Sequence, residues 1–243
     1  MNKDTLFLGG SEIARRMREF DWSKTPIGPV EQWPGVLAST LSICLSARFP
    51  MAIYWAREGF LLYNDAWRPI LGDKHPWALG RPAREVWPEI WDVIAPLFES
   101  VLTTGEATWH SDALLPMQRF GYTEECYFDY TFNPIPGQSG KVEGILNVVQ
   151  ETTYRVLNER RTRLLRELAS RCASAKSEEE LYQTAIAAIA TDAADIPFAL
   201  LYMIEDDRRN ARLLLATEWM KLISLRRALA VVGPWAPRCE AVR

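Results

Sequence analysis

Hydrophobic and polar positions follow two different periods along this chain, and the places where the period changes lay out its elements. Ser11 precedes a segment in which Ile13 and Met17 fall one turn apart, predicting a short helix to about residue 20 with Ser11 as N-cap. Pro26, Gly28, Pro29, Trp33 and Pro34 mark a rigid extended arm. Val36, Leu37, Leu41, Cys44 and Leu45 then recur at steps of three and four, so a second helix is expected over 35–47, stopped by Pro50. Residues 51–56 and 60–63 are aromatic and β-branched runs around Glu58-Gly59, the spacing of a hairpin. Short helical pieces are predicted over 64–71 and 83–87, with Trp87 and Trp91 one turn apart on one face. A longer helix over 88–104 ends at Gly105, suited to a left-handed C-cap.

Three strands should follow, over 107–115, 124–133 and 141–150, the last two joined by a turn at Gln138-Ser139-Gly140. In the middle strand Cys126, Phe128, Tyr130 and Phe132 share one face, and Tyr127, Asp129 and Thr131 the other. A strand pair, a helical crossover and a three-strand meander make an α+β plan with helices on one face of an antiparallel sheet.

From residue 151 the pattern becomes a charged helix to about 173. Leu157, Leu164 and Leu168 form a narrow stripe beside Val156 and Leu165, ringed by Arg160, Arg161, Arg163 and Arg166. That is short for a coiled coil, and Arg161 interrupts the seam, so a dimeric signal rod and a helix packed on its own domain both remain open. Ser177 can cap a helix running to about 194, and strands are predicted over 198–205 and 211–216.

Composition narrows the picture. The 243 residues carry 28 Lys+Arg against 31 Asp+Glu, net −3, which gives no sequence-wide attraction to nucleic acid or anionic membranes. The uncharged stretch 32–47 is too short and too polar for a bilayer crossing, and the amino terminus lacks a signal-peptide pattern. Four scattered cysteines without a C-x-x-C pair make neither a disulfide framework nor a zinc site, and a cytoplasmic location is expected. Eight of the ten tryptophans fall between Trp22 and Trp109, marking one aromatic-rich domain. Those at 55, 67, 77, 87 and 91 read either as core packing or as an aromatic cage for a cation or flat ligand.

Several motifs now combine. Leu61-Leu62-Tyr63-Asn64-Asp65-Ala66-Trp67-Arg68-Pro69-Ile70-Leu71-Gly72, then Leu79-Gly80-Arg81-Pro82, Tyr127-Phe128-x-Tyr130-x-x-x-Pro134-Ile135, and Gly140-x-Val142-x-Gly144-Ile145 closing on Glu151-Thr152-Thr153, resemble a PAS sensory domain in order and spacing. With the leader Gly9-Gly10, Asp21-Trp22, Thr25-Pro26-x-Gly28-Pro29 and Trp33-Pro34, the chain is similar to the amino-terminal input region of bacterial hybrid histidine kinases. Ala175-Lys176-Ser177-Glu178-Glu179-Glu180-Leu181-Tyr182 and Asp195-Ile196-Pro197-Phe198 resemble the opening of a GAF domain. The expected organisation is a helical leader over 1–47, a PAS domain over 48–153, a linker helix over 154–174 and a partial GAF-like segment over 175–243. Its fold would be a five-stranded antiparallel sheet with a helical crossover. Residues 219–243 carry net +4 and lack the later GAF strands, which reads as a truncated or frame-shifted end, or as a divergent helix over 220–232.

The resemblance implies a pocket between the crossover and the sheet, with Phe128, Tyr130, Phe132, Asn147, Val149 and Trp67 as candidate ligand-binding residues and Ile145 also inward. Asn147 would bond a ligand, or a backbone group or water. Asn64 can cap the next helix and bond back across its turn, while Gly72 and Gly80 suit turns closed to a Cβ. Adduct-forming flavin chemistry is disfavoured because Gly80-Arg81-Pro82-Ala83 stands where that family has its cysteine. Haem is disfavoured because the only histidines, His75 and His110, read as plain turn and surface residues without a supporting partner.

A kinase core would need a phosphoacceptor histidine and Gly-rich ATP-binding boxes, which the sequence does not supply, nor does it show a nucleophile elbow or P-loop. No enzymatic activity is expected of this chain. The expected function is signal input: a small ligand or protein contact sensed by the PAS domain and relayed through the linker helix. The resemblance implies a homodimer through that helix or the leader, with a downstream kinase or response regulator as partner. A ligand-free dimerisation scaffold is the competing reading.

Overall fold

The computed structural model describes residues 3–7, 10–137, 140–205 and 210–217. Most of the turn at 138–140, the loop at 206–209 and everything expected beyond residue 217 lie outside the described residues. The chain divides into two compact units at Val156/Leu157.

In the first unit the leader forms α1 (Lys3–Leu6), α2 (Glu12–Glu19) and α3 (Gly35–Ser46). Ser11 accepts from Ala14 N–H as the N-cap of α2. Strands β1 (Met51–Trp55) and β2 (Phe60–Tyr63) make the hairpin. The crossover is α4 (Arg68–Leu71), α5 (Ala83–Val86) and α6 (Trp91–Thr104), the last closed by Gly105 at φ 71°. Strands β3 (Thr108–Gln118), β4 (Thr123–Pro136) and β5 (Val142–Glu151) complete an α+β fold whose sheet order is β2-β1-β5-β4-β3, every neighbouring pair antiparallel.

Asn64 anchors the join between hairpin and crossover. Its Oδ1 accepts from Met51 N–H and Trp67 N–H, and its Nδ2 reaches the carbonyls of Cys44, Ala47 and Phe49. Gly72 has φ 56°, and a Cβ there would lie 2.6 Å from the Arg119 carbonyl oxygen, so only glycine fits.

Two expectations are corrected. Trp87 and Trp91 do not share a helix face: Trp87 ends α5 with φ −121°, and the turn through Pro88 restarts the chain at α6. Helices also cover more than one face. Consecutive strand side chains point to opposite faces, yet Ala52, Ile53, Tyr54 and Trp55 are all buried, so β1 is covered on both sides. The crossover packs one face, and α3 packs against β1 and β2 from the leader. Leu6, Ile13, Met17, Trp22 and Leu41 join the same hydrophobic core as the sheet.

The helix α7 (Thr153–Ala173) carries no buried residue. In the second unit α8 (Glu178–Ile189) packs on the antiparallel pair β6 (Leu200–Ile204) and β7 (Ala211–Ala216). The helix stops at Ile189, short of the predicted 194; the Thr191 and Asp192 N–H groups close tighter turns onto Ala188 and Ile189, and the Asp192 carboxylate accepts from Asp195 N–H and pairs with Arg160. Arg160 and Arg161 both pair with Asp195, which occupies the side of the helix where the leucine seam was interrupted.

Candidate functional site

Alternation along β4 buries Phe128, Tyr130 and Phe132, and alternation along β5 buries Ile145, Asn147 and Val149. The register sets Phe132 opposite Asn147 and Tyr130 opposite Val149. With Trp67, delivered by the turn that Asn64 caps, the predicted Phe128, Tyr130, Phe132, Asn147 and Val149 line one cavity of about 40 Å³. Ile145 is buried on the same strand without lining it.

The cavity also takes in residues the sequence reading missed. Tyr54 joins it from β1, where Ala52 opposes Asn147 and so puts Tyr54 on the same face. The period-two pattern of β1 held that signal. Leu115 and Met117 join it from β3. Thr108 and His110 start the strand, but a bulge between His110 and Ala113 shifts the inward set to odd numbers. No residue pattern announces that shift. Trp87, Ile70, Ile90 and Ile94 close the crossover side.

The polar groups at the cavity are few and specific. Trp87 Nε1 donates to the Tyr54 hydroxyl at 3.0 Å. Burial pushes the Tyr54 phenol above its ordinary pKa, with the Trp87 N–H and the Asn147 amide pulling the other way. Burial likewise raises Tyr130, so both phenols are neutral at physiological pH. Among the described residues, Asn147 Oδ1 and Trp67 Nε1 are buried with no hydrogen-bond partner. Asn147 therefore does not spend its carbonyl on a backbone group. Aromatic contacts stiffen the wall: Tyr54 to Phe98 at 4.7 Å, Phe98 to Phe132 at 4.8 Å and Tyr130 to Phe132 at 5.2 Å between ring centroids.

The tryptophans do not assemble into one cage. Trp67 and Trp87 line the cavity, whereas Trp77 is 48% exposed with Arg81 stacked on it at 4.4 Å. Trp91 packs edge-on against Phe98.

The histidines are better supported than their sequence neighbourhoods suggest. His75 Nδ1 lies 2.9 Å from the Tyr63 hydroxyl and Nε2 lies 3.3 Å from Glu12 Oε1. Glu12 also pairs with Arg16 and Arg68, tying α2 to the crossover. These partners stand up to 63 residues apart, beyond any local motif. His110 stacks on Tyr130 at 4.8 Å.

Where β5 ends, the polar contacts converge on α7. Thr152 N–H donates to the Tyr127 carbonyl and its hydroxyl donates to Asp112 Oδ1, each at 2.7 Å. Arg155 reaches the same Asp112 oxygen at 2.5 Å. Asp112 sits in the β3 bulge at φ 47°, its N–H held by Asp129, and the Thr152 hydroxyl and then Arg155 hold its carboxyl below the ordinary pKa. Arg119 bridges Glu124 and Glu151 at 2.9 Å each.

No protein-family model matches the sequence. Among solved structures the chain is similar to a sensory box sensor histidine kinase from Vibrio cholerae, at 21% identity over 49% of this chain and 90% of that one, TM-score 0.35. It is similar to the PAS domain of BvgS from Bordetella pertussis, at 19% identity over 54% and 96% of the two chains, TM-score 0.41. A PAS domain from Colwellia psychrerythraea matches at 15% identity over 49% and 98%, TM-score 0.38. Among the described residues no helix is long and apolar enough to cross a membrane.

Proposed function

We propose that residues 48–153 act as a PAS-type sensory module that holds a small molecule in the cavity between crossover and sheet and passes its occupancy to α7, with no catalytic step in this chain. The observation that carries this reading is the pair of buried, unpartnered polar atoms, Asn147 Oδ1 and Trp67 Nε1, on residues that line a largely apolar cavity. A buried polar group without a partner is costly, and a ligand that satisfies both removes the cost. Asn147 lies on β5, the strand that leads to Thr152 and the Asp112 contacts, so a change of its pairing has a covalent route to the first turn of α7. In this reading the chain works as a homodimer upstream of a kinase or response regulator.

The test is hydrogen exchange on the full chain, with and without a small-molecule extract of the host cell, and mass spectrometry of whatever the purified protein releases. A stoichiometric small molecule with altered protection at Asn147 and residues 152–156 supports sensing. A chain that releases nothing and responds to no extract is the ligand-free scaffold, a reading favoured by the exposed Trp109, Phe120 and Tyr122 around β3 and β4.

A further inference from the structure

Size, charge and hydrogen-bonding capacity of the cavity together define what it accepts. A cavity needs about 10–15 Å³ of such space to hold one water, so one of about 40 Å³ has room for a small molecule of a few non-hydrogen atoms. No Lys, Arg, His, Asp or Glu is among the lining residues. An ion entering would lose its hydration with no counter-charge to replace it. A hydrocarbon would fit the aromatic wall but leave Asn147 Oδ1 and Trp67 Nε1 as unpaired as before.

The two open positions differ in kind. Asn147 Oδ1 can only accept and Trp67 Nε1 can only donate. Both residues are more than nine-tenths buried, Asn147 at 6% exposure and Trp67 at 2%, so bulk water does not satisfy them. The Tyr54 hydroxyl already accepts from Trp87 and lies against the Asn147 amide, so it is not counted as an open position. An occupant that satisfies both must therefore offer a polar hydrogen and an acceptor oxygen.

Resting on the sensory reading above, we infer that the cavity selects a small neutral amide or alcohol, giving its N–H or O–H to Asn147 Oδ1 and taking the Trp67 indole N–H on its oxygen. The neighbouring Phe132 and Val149 surround the carbon end.

Nuclear magnetic resonance on the nitrogen-15-labelled full chain tests this with four probes: formamide, ethanol, formate and xenon. Formate matches formamide in size but carries a charge, and xenon fills space without hydrogen bonding. The expected result is a saturable shift of the Trp67 Nε1–H and Asn147 side-chain signals with formamide and ethanol, and none with formate. Asn147→Leu and Trp67→Phe should each weaken formamide binding about tenfold, as the loss of one buried hydrogen bond implies. Xenon binding without a response to formamide or ethanol overturns the inference while leaving a ligand cavity in place, as does formate binding as tightly as formamide. Silence with all four probes means that the cavity holds water only, and overturns both the inference and the sensory reading it rests on.

Discussion

The indole N–H of Trp87 donates to the Tyr54 hydroxyl at 3.0 Å, joining the crossover to the central part of the sheet inside the core. Tyr54 is 3% exposed and Trp87 is 2% exposed. Tyr54→Phe removes the acceptor and leaves a buried indole N–H unpaired, so it should cost about 1–3 kcal/mol in urea unfolding. Adding Trp87→Phe removes the orphaned donor. The double variant should then lose less than the sum of the two single variants, the coupling expected of residues in contact.

Asn64 makes the heavier contribution to the same region. Replacing it with Ala removes five side-chain hydrogen bonds and leaves the Met51 N–H and the Ala47 and Phe49 carbonyls without the partner its amide supplies, while Trp67 N–H and the Cys44 carbonyl keep a backbone partner. The expected loss is about 3–5 kcal/mol, the range for breaking a buried hydrogen-bond network. Asn64→Asp preserves the shape but turns a donor into a carboxylate facing the Cys44, Ala47 and Phe49 carbonyls. It should be no more stable than the Ala variant, and a milder effect in chemical denaturation would show that the Nδ2 contacts contribute little.

Thiol chemistry gives a prediction that needs no mutation. Burial pushes the Cys44 thiol up to about 12, and burial raises Cys126 to about 11 in spite of the Arg119 charge beside it. Cys172 on α7 is only half-buried. The thiolate is the reactive form, so iodoacetamide at pH 8 should label Cys172 roughly two orders of magnitude faster than Cys44 or Cys126. Peptide mass spectrometry reads the order directly, and denaturant should erase it.

Much of this arrangement was legible in the sequence, and what was not has a common cause. The Phe128, Tyr130 and Phe132 face follows from strand periodicity, and Asn64 from its place after a strand. Local patterns carry both. The bulge that brings Leu115 and Met117 inward arises from pairing with β4, and Ala113 meeting Phe128 rather than the next residue along is a property of two strands together. Pro88 separates Trp87 from α6, and a proline at that place outweighs the one-turn spacing of Trp87 and Trp91. The Glu12, His75 and Tyr63 contacts link three segments through tertiary folding alone. Asn147 was identifiable as inward, but that its Oδ1 lacks a partner depends on every neighbour's position.

Glu12 gives the leader a defined response to acid. The Arg16 hydrogen bond first, then His75 and the Arg68 charge, lower its pKa from the ordinary 4.5 to about 2. Asp65 shares the Arg68 guanidinium at 3.5 Å and accepts from Ile13 N–H, so it is the other acid facing this corner. Because the folded value lies below the unfolded one, the unfolded chain binds the proton first. The contribution is complete above about pH 4.5 and is lost as pH falls toward 2. The urea midpoint of the wild-type chain should therefore drop over that window. Glu12→Gln should lower stability at pH 6 and leave the pH dependence shallower. Asp112 and Asp195 are also held below their ordinary pKa, so the variant keeps part of the slope, and the difference between the two curves isolates Glu12. Parallel curves would show that the α2 contact with His75 and Arg68 does not form in solution.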